Sequence, residues 1–112
     1  MPVLDTAALL HWPVERMVGG IVAHSQLEEL RRLSPQRAML IESIDIEWMS
    51  MGTGDAENAA ATTGDLPRLS PVDLDILALA LATGETLFTD DYSLQNVCRS
   101  VSHPFEAVSN KR

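Results

Sequence analysis

The strongest constraint on the fold is the stretch of residues 69–96, LSPVDLDILALALATGETLFTDDYSLQN. Ser70 is a favourable N-cap residue, and Pro71 suits the first helical position, where its missing N–H costs nothing. Residues 76–81 are apolar on every face of such a helix, so we expect other elements to cover it on most sides. Gly84 is a typical residue at a helix end. The stretch therefore predicts a buried helix at the centre of the fold.

A short strand and a group of acids accompany this helix. Residues 86–89 have the β-branched and aromatic character of a strand. Asp90 and Asp91 come directly after that strand, and Asp73 lies in the first turn of the helix. Acidic side chains at the rim of an apolar scaffold are the feature that needs a chemical explanation.

The composition is that of an ordinary globular protein with an acidic surface. The 112 residues suffice for one domain, and 46% of them are hydrophobic. The net charge of −8 argues against non-specific nucleic-acid binding, which usually depends on a basic surface. One cysteine, Cys98, excludes an internal disulfide and a multi-cysteine zinc site, and we expect it in the core.

The distribution of apolar residues indicates neither a membrane span nor a leader. No apolar run approaches the roughly 20 residues of a transmembrane helix. Strand-like residues begin near the first residue, which leaves no room for a signal peptide. We therefore expect a cytoplasmic protein.

Strands alternate with helices along the chain, which predicts an α/β sandwich around a mainly parallel sheet. We expect strands near residues 3–4, 21–23, 44–49, 86–89 and 105–108, and helices near residues 7–12, 25–33, 35–43, 71–83 and 92–101. The alternation of apolar and acidic residues at 44–49 is typical of a strand near a sheet edge. Residues 50–65 are interpreted as a surface segment in which residues 55–62 could form an alanine-rich helix.

Two local predictions concern the helices after the second strand. Ser25 and Glu28 have the spacing of a capping box, in which each side chain caps the other's backbone N–H. In the next helix, the pattern predicts Met39, Leu40 and Ile44 on the inner side.

Acids from four segments could meet at one edge of the predicted sheet, because sites in open parallel sheets gather beyond the carboxyl ends of the strands. Each acid also has a structural explanation, as a cap, a strand end or a helix-dipole partner, except Glu29. Anions crowded at one edge repel one another unless a cation lies among them. The candidates are Asp5, Glu29, Asp73, Asp90 and Asp91.

Oxygen ligands without a cluster of cysteine or histidine suit Mg²⁺ or Mn²⁺ better than zinc. Such sites typically hydrolyse phosphodiesters. The sequence carries no G-x-S-x-G motif, no Walker lysine loop and no dinucleotide-binding glycine motif.

These residues resemble the PIN-domain nucleases. The resemblance rests on VLDT at 3–6, Glu-Leu at 29–30, S-x-x-D at 70–73 and T-D-D at 89–91. Two longer stretches, GDLPRLSPVDLDILALAL at 64–81 and TLFTDDYSLQNV at 86–97, are similar to the NOB-type ribosome-maturation nucleases of archaea and eukaryotes. The resemblance implies one PIN nuclease domain over residues 1–112, a three-layer sandwich with a sheet of about four to five strands.

The resemblance also implies an activity and a ligand set. The activity is an endoribonuclease that cuts precursor small-subunit rRNA to form its mature 3′ end, leaving a 5′-phosphate and a 3′-hydroxyl. The catalytic and metal-binding acids would be Asp5, Glu29, Asp73 and Asp91, holding one or two Mg²⁺ or Mn²⁺ ions, with Asp90 as the alternative to Asp91. Thr6 and Thr89 would orient carboxylates or phosphate.

RNA is the implied partner, with Arg31 and Arg68 as candidate contacts and Arg32, Arg37 and Arg99 as further cations. Full-length NOB-type relatives continue into a cysteine-rich zinc ribbon, so this sequence is either a piece of a longer protein or a stand-alone PIN protein. Without the ribbon we expect weak, salt-dependent RNA binding. A homo-oligomer stays open, and no membrane partner is expected.

Two alternatives remain at this stage. One is a toxin-type PIN ribonuclease of the VapC sort, which shares the same acids. The other is a catalytically weak PIN domain that serves as an RNA-binding or ribosome-assembly module.

Overall fold

Five parallel strands form one sheet in the computed structural model, which describes residues 1–109. The strands are β1 (Val3–Leu4), β2 (Ile21–Ala23), β3 (Glu47–Met49), β4 (Leu87–Phe88) and β5 (Phe105–Glu106). Their order across the sheet is β3-β2-β1-β4-β5, and every neighbouring pair is parallel. The sequence-based α/β prediction is confirmed, including the edge position of β3.

Seven α-helices flank this sheet within the described residues. They are α1 (Thr6–His11), α2 (Val14–Met17), α3 (Ser25–Leu33), α4 (Pro35–Glu42), α5 (Gly54–Thr63), α6 (Pro71–Thr83) and α7 (Tyr92–Ser100). A 3₁₀ turn (Leu66–Arg68) precedes α6. None of the described helices is long and apolar enough to cross a membrane.

The alternation of side chains along the short strands produces two apolar clusters, one on each face of the sheet. Val3 and Leu87 pack into the cluster that contains the buried residues of α5, α6 and α7, Cys98 among them. Leu4 and Val22 pack into the cluster formed with α1, α2, α3 and α4. Two helical layers therefore enclose the sheet, which gives the three-layer sandwich of a PIN-like fold.

The central helix α6 forms as its sequence predicts. The Ser70 hydroxyl accepts from the Asp73 N–H at 3.1 Å, and the Asp73 carboxylate accepts from the Ser70 N–H at 3.0 Å, which is a complete capping box. Residues 76–80 are all buried. Gly84 ends the helix with φ +73°, a conformation that glycine adopts without steric cost.

The capping box predicted for α3 is wrong. Ser25 is the first helical residue, and its hydroxyl donates to Asp75 Oδ2 of α6 at 2.7 Å. Glu28 instead accepts from Arg31 of its own helix at 3.0 Å. A contact between two helices replaces the local contact, and no pattern confined to α3 contains that information.

The predicted inner side of α4 is also wrong in part. Met39 is 72% exposed, whereas Ala38 and Ile41 are buried against the second apolar cluster. The segment 50–65 is more structured than predicted, because α5 buries Ala56 and Ala60 completely against α6 and α7. Small alanine side chains let α5 approach α6 closely, and this packing stabilises a helix whose sequence alone is uncommitted.

Candidate active site

Asp5 lies where β1 ends and α1 begins, at the carboxyl edge of the sheet. Its Oδ1 accepts from the Thr6 N–H at 2.7 Å as the N-cap of α1. Its Oδ2 accepts from the Thr89 hydroxyl at 2.5 Å. Leu4 of β1 pairs with Phe88 of β4, so the residues that follow them, Asp5 and Thr89, lie side by side. The sheet itself thus fixes the Asp5 carboxylate.

The surroundings of the Asp5 carboxyl raise its pKa. Burial raises its pKa from 3.8 to about 6, since removal from water disfavours the charged form. The hydrogen bonds from Thr89 and Thr6 oppose this rise, and the negative charges of Asp73 and Asp91 add to it. Like charges therefore face Asp5 from two other elements.

Asp73 belongs to the same electrostatic group. Partial burial raises the pKa of its carboxyl, and its capping contacts with Ser70 oppose that rise. The charges of Asp91 and Glu29 raise it further. Asp73 therefore takes part in the capping box of α6, and its negative charge also interacts with those of the other acids.

The structure separates the two neighbouring acids after β4. Asp91 caps α7, because its Oδ1 accepts from the N–H groups of Ser93 and Leu94 at 2.7 and 3.2 Å. The charge of Asp91 acts on Asp5 and Asp73.

Asp90 has a different environment. Its Oδ1 accepts from the N–H groups of Val108 and Ser109 at 2.8 and 3.2 Å. Asp90 therefore holds the segment that follows β5, whereas the charge of Asp91 acts on the other acids.

Glu29 of α3 reaches the site through Thr6. The Thr6 hydroxyl donates to Glu29 Oε1 at 2.5 Å, and Thr6 is buried. The buried Gln26 supports this arrangement, because its amide donates to Leu4 O at 2.9 Å and to Thr6 Oγ1 at 3.3 Å. Its Oε1 accepts from the Ala23 N–H at 2.7 Å. Gln26 thus joins the ends of β1 and β2.

Sequence reasoning missed both Gln26 and the Ser25–Asp75 pair. A glutamine one turn before Glu29 carries no motif, and its complete burial depends on the two strand ends that it joins. The one sequence signal for the Ser25–Asp75 contact was Asp75 itself, which lies two residues after Asp73 as a second acid in an otherwise apolar helix. Its contact with Ser25 links the helices that carry Glu29 and Asp73.

The arginines divide into structural and surface groups. Arg37 donates to Leu9 O at 2.8 Å and to Trp12 O at 2.7 Å, so it fixes the end of α1. Arg31 lies between Glu28 and Glu42 at 3.0 and 3.4 Å. Arg68 contacts Asp65 at 3.4 Å and stays largely in solvent.

The structure thus places four of the predicted acids, from four separate elements, in one electrostatic group: Asp5, Glu29, Asp73 and Asp91. Their carboxylate oxygens and combined negative charge fit a hard divalent cation, which would relieve the repulsion that adds to the effect of burial on the pKa of Asp5. As they stand, no three acidic, histidine or cysteine side chains among residues 1–109 are grouped tightly enough to hold a metal ion.

A parallel α/β sandwich with acids gathered at its carboxyl edge defines a class of candidate phosphodiester hydrolases. Comparison with known proteins agrees with this class. Ribonuclease VapC1 of Thermoplasma acidophilum is 33% identical over an alignment of 118 positions, which covers 98% of this chain and 59% of that protein. Endoribonuclease Nob1 of Methanothermobacter thermautotrophicus is 36% identical over an alignment of 121 positions, which covers 95% of this chain and 67% of that protein.

Endoribonuclease Nob1 of Pyrococcus abyssi is 42% identical over 52 residues, or 46% of this chain and 32% of that protein. No family model matches the sequence. The relatives are PIN-domain nucleases, and this chain belongs to the PIN-domain ribonuclease family. The chain spans 59% and 67% of the two relatives that it matches along nearly all of its own length.

Proposed function

We propose that this protein is a metal-dependent endoribonuclease whose site is formed by Asp5, Glu29, Asp73 and Asp91. One observation carries the proposal, namely the half-buried Asp5 carboxylate at the carboxyl edge of the sheet, on which the charges of Asp73 and Asp91 act. A fold gains no stability from placing like charges together, so the arrangement suits a cation-binding site. PIN-domain nucleases generally depend on divalent metals, which supports this interpretation.

In this proposal the four carboxylates would hold one or two Mg²⁺ or Mn²⁺ ions. Bound metal in such a site supplies polarisation of water and neutralisation of charge on the phosphate. Thr89 and Thr6 orient Asp5 and Glu29 by donating to their carboxylates. No side chain of the group is required as a covalent nucleophile.

The proposed substrate is precursor small-subunit rRNA, cut at its mature 3′ end. The similarity to the Nob1 endoribonucleases and the TDDYSLQN stretch at 89–96 support this choice. Hydrolysis by water would leave a 5′-phosphate on the downstream fragment and a 3′-hydroxyl on the upstream one. The products therefore report both the reaction and the position of the cut.

A toxin-type ribonuclease is the second candidate. The similarity to VapC1 over 98% of this chain favours it as strongly as the Nob1 similarity favours the first. The two differ in substrate, because a toxin-type enzyme would cut tRNA or mRNA in preference to a small-subunit rRNA junction.

The test is incubation of the protein with a short RNA spanning a small-subunit 3′ junction, beside a tRNA pool, with Mn²⁺ or with EDTA. We expect Mn²⁺-dependent cleavage of the junction RNA that Asp5→Asn abolishes. The matched control is Asp55→Asn, an exposed acid of α5. Preferential cleavage of tRNA would favour the toxin-type reading, and cleavage that persists in EDTA would refute the metal-dependent mechanism.

The third candidate is a catalytically weak PIN domain that serves as a binding or assembly module. A titration with Mn²⁺ separates it from the nuclease. An assembly module needs neither Mn²⁺ binding nor cleavage, whereas the proposed enzyme requires both.

A further inference from the structure

A surface cavity of about 430 Å³ lies against the segments that lead into the acid group. It is lined by Asp65, Arg68, Tyr92, Ser93, Asn96 and Arg99. Tyr92 follows Asp91 directly, and Arg68 lies five residues before Asp73. Both walls of this cavity, which we term the Tyr92 cavity, therefore continue into acids of the proposed active site.

The floor of the Tyr92 cavity is held rigidly. Asp65 is 5% exposed, and its Oδ2 accepts from Thr63 Oγ1 at 2.7 Å and from Asn96 Nδ2 at 2.8 Å. The hydrogen bond from Asn96 is the main reason that the pKa of Asp65 is lowered. Asp65 is therefore ionised at neutral pH and ties the end of α5 to α7.

The rim of the cavity presents an aromatic ring and an arginine side chain to solvent. Tyr92 is 86% exposed, so its ring is available on the surface. The Arg68 side chain is 70% exposed, and its contact with Asp65 at 3.4 Å is long for a hydrogen-bonded ion pair.

Arg99 supplies the second cation. Its guanidinium lies over the Phe105 ring, 5.2 Å from the centroid, and it forms no ion pair within residues 1–109. This cation–π contact positions the guanidinium beside the ring, and its N–H donors form no ion pair with the described residues. Two arginines beside one cavity stand out on a chain of net charge −8.

We propose that the Tyr92 cavity is a subsite for one nucleotide of single-stranded RNA next to the cleavage position. The base stacks on Tyr92, and Arg68 and Arg99 contact the flanking phosphates. Aromatic stacking with arginine contacts to the backbone is the usual recognition of single-stranded RNA. This inference rests on the proposed function, because it is the ribonuclease reaction that places RNA beside Asp91 and Asp73.

The test uses the full chain and a fluorescein-labelled oligoadenylate of about ten nucleotides, with binding measured by anisotropy in EDTA and cleavage measured in Mn²⁺. Tyr92→Ala should weaken binding roughly tenfold, and Tyr92→Phe should bind like the parent because the ring is kept. The matched control is Met39→Ala, which removes another side chain that is mostly in solvent.

Arg99→Ala should lower the slope of log affinity against log salt by about 0.7, as loss of one phosphate contact from a single strand requires. The same change at Arg32, an exposed arginine of α3, should leave the slope unchanged. The salt slope reports a phosphate contact, and a change in folding alone would not alter it.

The outcomes separate the subsite from the proposed activity. Binding that Tyr92→Ala and Arg99→Ala leave unaltered, in a parent protein that cleaves RNA, would overturn the subsite alone. Binding that depends on Tyr92 in a protein that never cleaves would retain the subsite and overturn the nuclease proposal. Absence of binding by the parent protein at low salt would overturn the subsite, whatever cleavage shows.

Discussion

The Thr89 hydroxyl donates to Asp5 Oδ2 at 2.5 Å across 84 positions of the chain. The same Thr89 oxygen accepts from the Asp91 N–H at 3.0 Å. One buried hydroxyl therefore connects two of the acids and sets their spacing. This contact makes the site sensitive to changes at residues that carry no charge.

Loss of one carboxylate should abolish the proposed activity and leave the fold intact. We expect Asp5→Asn and Asp73→Asn each to reduce Mn²⁺-dependent cleavage by about 100-fold or more, since each removes an anionic oxygen from the group. Circular dichroism should match that of the parent. The exposed Asp55→Asn variant controls for the loss of one negative charge, and full activity in either site variant would exclude the assigned site.

The raised pKa of Asp5 makes a prediction about stability. The folded state holds the Asp5 proton more tightly than the unfolded chain, because the pKa rises from 3.8 to about 6 on folding. The contribution of Asp5 is therefore most favourable below about pH 4 and is lost as the pH rises through about 6. In metal-free buffer the gain in stability of Asp5→Asn over the parent should therefore grow between about pH 4 and pH 6 and reach on the order of 2 kcal/mol above that range.

Chemical denaturation in EDTA at several pH values measures this difference. Addition of Mn²⁺ at neutral pH should stabilise the parent and not the Asp5→Asn variant, since ligands that bind the folded state stabilise it. A difference that does not vary with pH would show that Asp5 keeps its ordinary pKa.

The two threonine hydroxyls should matter for activity as well as for packing. Thr89→Val and Thr6→Val keep the shape of the side chain and remove the donors to Asp5 and Glu29, so we expect cleavage to fall about 10- to 100-fold. Thr62→Val is the control, because that hydroxyl contacts only Asn58 O of its own helix. Steady-state cleavage rates at saturating Mn²⁺ provide the measurement.

Asp90 and Asp91 should respond differently to substitution. Asp90→Ala leaves the N–H groups of Val108 and Ser109 without their carboxylate, so we expect a loss of about 1–3 kcal/mol of stability with cleavage retained. Asp91→Ala should abolish cleavage in addition to its cost as a helix cap. Ser34→Ala, which removes the side-chain cap of α4, separates the effect of a lost cap from the effect on activity.

Gln26 should be a stability residue with an effect on the site. Gln26→Leu leaves the Ala23 N–H and the Leu4 carbonyl without their buried partner, so we expect a loss of about 2 kcal/mol or more. The exposed Gln36→Leu variant of α4 should cost little. Thermal melts of both variants distinguish the buried glutamine from the exposed one.

Local signals accounted for the parts of the fold that local interactions determine. The bounds of α6 were predictable because they follow from local backbone preferences. The helix begins after Ser70 with Pro71 and ends at Gly84. The grouping of Asp5 with Asp91 was also predictable, because strand ends meet at one edge of a parallel sheet. Tertiary contacts determined the rest.

Those tertiary contacts explain the errors. Ser25 pairs with Asp75 across two helices, and Met39 faces solvent because the packing of α4 sets its rotation. The different surroundings of Asp90 and Asp91 depend on where residues 108–109 run after the last strand. None of these relations has a signature within one segment of sequence.

The strand order places β1, the first strand of the chain, between β2 and the late strand β4. Thr89, whose hydroxyl donates to Asp5, therefore lies 84 positions after it in the chain. Pairing over such separations is slow and cannot begin early. The Asp5 carboxylate consequently reaches its final surroundings late in folding, after β4 has paired with β1.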